Sequence, residues 1–75
     1  MTTPARDNFN RAASRALECF DAGHTQHVVE DFLDRVGADP ATRHIQRNPK
    51  NAHRLGEQLE RGRDEFVSAL AELAP

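Results

Sequence analysis

Proline and glycine divide this chain into segments whose apolar residues recur with the period of an α-helix. A capping oxygen followed by proline is typical of a helix N-terminus, because proline holds the preceding residue in the extended conformation that a cap requires. Gly23 and Gly37 follow the first two apolar runs and predict helix ends. Three dipeptides predict helix starts: Thr3-Pro4, Asp39-Pro40 and Asn48-Pro49.

The pattern predicts an all-α protein, a small helical bundle of about four helices with short connections. The last helix is expected to be the longest, either straight or kinked at Gly56 or Gly62. We expect one domain over residues 1–75, with frayed ends at 1–3 and 74–75. The predicted helices span roughly 4–22, 25–36, 40–47 and 49–73.

Large apolar side chains are few for a chain of this length. Leu, Val, Phe and Ile together make up only one fifth of the residues, whereas charged residues make up 29%. Such a composition provides little apolar surface beyond a single core. We therefore expect either a homodimer or a protein that is only marginally stable until it binds a partner.

The fourth predicted helix carries the candidate protein interface. A straight helix over 49–73 would be about 38 Å long at 1.5 Å per residue, which exceeds the first helix by roughly 10 Å. Its apolar stripe would extend beyond the bundle, so we expect it to form a homodimer or to bind another protein. The candidate interface residues are Leu59, Gly62, Phe66, Leu70 and Leu73.

Residues 43–56 are the most distinctive region in the distribution of charge. They include cationic side chains and two histidines but no acid, although the net charge of the chain is -2. This segment either balances the acidic second helix or forms a patch for an anion, a nucleic acid or an acidic protein. The candidate patch residues are Arg43, His44, Arg47, Lys50 and Arg54.

The second helix, the following turn and the basic third helix have the order of a helix-turn-helix motif. In that interpretation the basic segment 41–54 would contact DNA. Two features argue against it. Ile45 follows Gly37 by more positions than the common motif has, and the chain is acidic although phosphate contacts dominate DNA affinity. DNA binding is therefore the alternative to protein binding.

The sequence contains no catalytic motif. Phosphate-binding glycine loops, the nucleophile elbow and the H-E-x-x-H zinc motif are all missing. His24, His27 and Asp31 lie near Cys19 in a spacing that could ligate a metal, but an exposed His–Asp pair and a boundary cysteine are the simpler interpretation. We expect no enzyme activity, cofactor, metal or small-molecule substrate.

Composition also bears on location and origin. With a single cysteine the chain cannot form an internal disulfide, which favours a reducing, cytoplasmic setting. We expect no membrane span and no secretory signal within residues 1–20. The strong preference for Arg over Lys indicates a bacterial or phage coding sequence. The leading hypothesis is a small cytoplasmic regulatory or adaptor protein that acts by protein binding and self-association.

Overall fold

Five α-helices joined by short turns make up residues 4–75, the part of the chain that the computed structural model describes. This range contains no strand, so the predicted all-α bundle is confirmed. Thr3, the predicted first cap, lies with residues 1–3 outside the described range. The helices are α1 (Pro4–Asp21), α2 (Val28–Gly37), α3 (Arg43–Arg47), α4 (Pro49–Arg61) and α5 (Arg63–Glu72).

Two helices begin three residues later than predicted, because their capping residues build turns instead. Thr25 contributes its backbone carbonyl, which accepts a hydrogen bond from the amide of Val28 at 3.5 Å, and α2 begins only at Val28. Asp39 accepts a hydrogen bond from the Ala41 amide through its Oδ1 atom at 2.9 Å. Here the bond closes a turn that does not continue as an α-helix, and α3 begins only at Arg43.

The segment 49–73, predicted as one helix that is straight or kinked at Gly56 or Gly62, forms two helices because the chain changes direction at Gly62. Helix α4 ends at Arg61 and α5 begins at Arg63. Between them Gly62 has φ 126° and ψ 178°, a conformation that is essentially restricted to glycine. The longest helix is consequently α1, with 18 residues.

The core is formed where α1 packs on α2 and where the α4–α5 hairpin closes on both. Phe9 and Phe32 meet edge to face with ring centroids 5.6 Å apart, and Phe20 stacks on Phe66 at 5.9 Å. Within residues 4–75, no helix combines the length and apolar character needed to cross a bilayer. The buried apolar residues are Phe9, Ala12, Ala16, Val28, Phe32, Leu33, Val36, Ile45, Leu55, Phe66, Ala69 and Leu70.

Two ion pairs fasten α5 to its neighbours. Arg54 of α4 donates hydrogen bonds of 3.0 and 3.1 Å to the carboxylate of Glu72. Arg63 donates bonds of 2.9 and 3.4 Å to Asp21 at the end of α1. The hydrogen bonds to Asp21 raise the pKa of Arg63 above its usual value. Both ends of α5 are therefore held, one on α4 and the other on α1.

Candidate binding surface

The turn after α2 is closed by two side chains, one of which is a cation of the basic segment. Pro40 has no N–H, so it cannot donate the helical bond to the carbonyl of Val36. The hydroxyl of Thr42 donates to that carbonyl instead, at 2.6 Å, and Thr42 is completely buried. The Nε of Arg43 donates to the carbonyl of Gly37 at 3.2 Å. Arg43 is thus a structural residue that closes the end of α2.

The junction between α3 and α4 is held by two asparagines. Asn48 accepts a hydrogen bond from the Lys50 amide at 3.0 Å, which confirms the predicted Asn-Pro helix start. Asn51 donates through its side chain to the carbonyl of Ile45 at 2.9 Å. Since Ile45 is buried, these bonds hold the opposite side of α3 towards solvent.

Two further members of the basic segment have partners within the fold. Arg54 is paired with Glu72 by two hydrogen bonds, so its charge is neutralised inside the α4–α5 hairpin. His53 is paired with Glu57 one helical turn ahead. The structure therefore separates Arg43 and Arg54 from the other candidate patch residues.

His44, Arg47 and Lys50 remain, and together we name them the basic face. All three are exposed, and within residues 4–75 their side chains form no hydrogen bond or ion pair. His44 and Arg47 lie three residues apart on α3 and therefore share a side of that helix. Lys50 follows three residues later, in the first turn of α4. The basic face thus consists of two cations and a histidine that follow one another along α3 and the first turn of α4.

Lys50 occupies a position where a cation opposes the helix dipole. The first turn of α4 contains no acidic residue, although the positive end of the dipole favours a carboxylate there. We expect Lys50→Glu to raise the free energy of unfolding by about 0.3–1 kcal/mol at low salt. Urea denaturation followed by circular dichroism measures this gain, and Lys50→Gln should give a smaller one. A stability equal to or below that of the unsubstituted protein would contradict the prediction.

The predicted interface residues lie on the inner side of the α4–α5 hairpin. Phe66 and Leu70 are buried in the core, while Leu59 and Leu73 are partly buried and pack against it. Gly62 forms the connection between the two helices. The overhang expected of a straight helix is absent because the chain turns at Gly62, so these residues first serve the fold of the single chain.

The other candidate residues line an open cavity of about 590 Å³ between the end of α1 and the start of α2. His24, His27, Cys19 and Asp31 all contribute to its walls. The Nδ1 atom of His27 lies 3.5 Å from the Oε2 atom of Glu30. Cys19 is a half-buried free thiol. Across residues 4–75, no three or more His, Cys, Asp or Glu side chains are grouped as a metal would require.

Comparison with protein-family models, curated proteins and solved structures finds no match to this chain. The helix-turn-helix order of α2 and α3 is present, but α3 is only five residues long. At 1.5 Å per residue it is about 7.5 Å in length, and its central Ile45 is buried.

Sequence reasoning missed the roles of Thr42 and Arg43 in closing α2. Both side chains donate hydrogen bonds to carbonyls at the end of α2. These bonds form only when the turn after α2 is folded. A signal was nevertheless present, because Pro40 stands four residues after Val36 and leaves that carbonyl without a helical donor. The hydroxyl of Thr42, two residues after the proline, can donate the missing hydrogen bond to that carbonyl.

Proposed function

We propose that the protein is a small, non-catalytic, cytoplasmic regulatory or adaptor protein that docks on an acidic surface of another protein through the basic face. The observation that supports this is the lack of side-chain partners for His44, Arg47 and Lys50 within residues 4–75. The chain has more acidic than basic residues, so carboxylates are abundant, yet none in that range pairs with these three side chains. Lys50 additionally opposes the helix dipole, so its charge lowers stability and is consistent with a role in binding.

The same surface favours an acidic protein over DNA as the partner. Arg43 is bonded to the Gly37 carbonyl and Arg54 to Glu72, which leaves three members of the candidate patch without a partner within residues 4–75. Phosphate contacts dominate DNA affinity, and a protein that makes about 6–10 of them needs more cations than these positions supply. A small cationic surface is sufficient to orient a protein partner and accelerate its association.

Charge reversal on the basic face tests the proposal. The double variant Arg47→Glu/Lys50→Glu and the unsubstituted protein serve as baits in the native host, and captured proteins are identified by mass spectrometry. Arg11→Glu/Arg15→Glu is the matched control, because both arginines are exposed on α1 and the charge change is the same. We expect one partner that binds the unsubstituted protein and the control but not the basic-face variant.

The partner is then purified and its affinity measured directly. We expect the dissociation constant to rise at least tenfold, about 1.4 kcal/mol, on reversal of the basic face, and the association rate to fall with added salt. Equal loss in both double variants, or no loss in either, would contradict the proposal. Binding to a labelled DNA duplex that Arg47→Glu/Lys50→Glu abolishes would replace it with the DNA-binding alternative.

A further inference from the structure

The connection between α4 and α5 consists of one residue, and its backbone is unusual. Gly62 has φ 126° and ψ 178°, which residues with a Cβ rarely adopt. A Cβ built on Gly62 meets no atom within 4 Å, so the surrounding packing does not exclude a side chain. Glycine is therefore required here because of the backbone conformation of the bent state, and not because a side chain would clash.

The residues on both sides of Gly62 are compatible with an uninterrupted helix. The apolar positions of α4 continue into α5 in steps of three and four, which is the spacing that predicted one helix over 49–73. No proline or β-branched residue lies between Arg61 and Phe66. A straight helix through Gly62 would be weakened by only about 1 kcal/mol relative to alanine at that position. The hairpin and the straight helix thus differ at the backbone of a single residue.

Straightening at Gly62 would withdraw α5 from the core and leave its site empty. In that site the Phe66 ring stacks on Phe20, and the Arg63 guanidinium donates a hydrogen bond to Asp21. At the other end of α5, Glu72 is bound by Arg54 of α4. A second copy of this chain supplies a helix that satisfies all three contacts, since it is α5 itself.

We propose that two copies of the chain exchange α5. Each chain straightens at Gly62, and its α5 packs on α1 and α4 of the other chain in the place that its own α5 occupies in the monomer. A reciprocal exchange closes as a two-fold dimer and repeats the Phe66–Phe20, Arg63–Asp21 and Arg54–Glu72 contacts between chains. This exchange does not involve the basic face.

Alanine of each chirality at position 62 separates the two conformations. Gly62→Ala disfavours the bent backbone and favours the helix, so we expect a dimer with a dissociation constant at least tenfold lower than that of the unsubstituted protein. A synthetic chain with D-alanine in place of Gly62 carries the same methyl group but favours positive φ, and we expect it to remain monomeric. Light scattering after size exclusion measures both. A monomeric Gly62→Ala protein, or dimers with both alanines, would overturn the proposal.

A mixing experiment retains Gly62 and so does not depend on the folding of that variant. Asp21→Arg and Arg63→Asp each place like charges at the contact between α1 and α5 of one chain. In an exchanged heterodimer of the two variants, both contacts join opposite charges again. After the variants are refolded together at high concentration, we expect heterodimers above the fraction of about one half given by random pairing, because ion pairs at this site add to the association. Native mass spectrometry counts the species. Random pairing, or the absence of dimers, would overturn the proposal.

Discussion

Replacing Phe66 with alanine is expected to lower the free energy of unfolding by about 3–5 kcal/mol. The Phe66 side chain has no exposed surface and stacks on Phe20 with an interplanar angle of 18°. Its removal would leave a cavity at the contact between α1 and α5. Because a domain of this kind has a total stability of about 5–15 kcal/mol, a single substitution of this size could unfold it.

Urea denaturation at several protein concentrations measures the effect. Phe66→Leu retains most of the volume and keeps the experiment informative if the alanine variant does not fold. Val67→Ala is the matched control on the same helix, since Val67 is only partly buried, and we expect it to lower stability by about 1 kcal/mol or less. If Phe66→Ala preserved the stability of the monomer and only weakened association, Phe66 would belong to an interface rather than to the core.

Replacing Thr42 with valine is expected to lower the free energy of unfolding by about 1–3 kcal/mol. Valine has nearly the same shape but cannot donate the 2.6 Å hydrogen bond to the carbonyl of Val36. It also cannot accept the 3.3 Å bond from the side chain of Asn8. Because Thr42 and Val36 are both completely buried, water cannot replace the bond to the Val36 carbonyl.

Thr42→Ser is the control for this substitution. It retains the hydroxyl and removes one methyl group, so we expect a loss of about 0.8 kcal/mol. Denaturation curves compare the two variants, and hydrogen exchange at the end of α2 locates the effect. A Thr42→Val protein as stable as Thr42→Ser would show that the hydroxyl contributes nothing to the closure of α2.

Local sequence predicted this fold best where the responsible interaction is itself local. The Asn48-Pro49 start of α4 was predicted because the asparagine bonds an amide only two residues away. The similar dipeptide Asp39-Pro40 behaves differently, since its bond to Ala41 closes a turn and α3 begins later. The same local chemistry therefore has two outcomes, and the packing of the following residues decides between them.

The candidate surface was predicted as a segment but not as a set of side chains. Segmental charge identified residues 43–56 as basic, and His44, Arg47 and Lys50 are exposed there. Pattern reasoning could not separate them from Arg43 and Arg54, because the partners of those two lie at Gly37 and Glu72. Glu72 is 18 residues from Arg54 in sequence, and helical periodicity does not predict contacts at that separation.

Helical class, the apolar stripes and most helix ends followed from the order of residues, because periodicity and the conformational limits of proline and glycine act over a few positions. The bend at Gly62 did not follow from the order of residues. Glycine permits both a straight helix and φ 126°, so its presence leaves the two conformations open. The choice is made by contacts that only the folded chain brings together: Phe66 on Phe20, Arg63 on Asp21 and Arg54 on Glu72. Burial of apolar area and the pairing of distant charges depend on all of the helices at once.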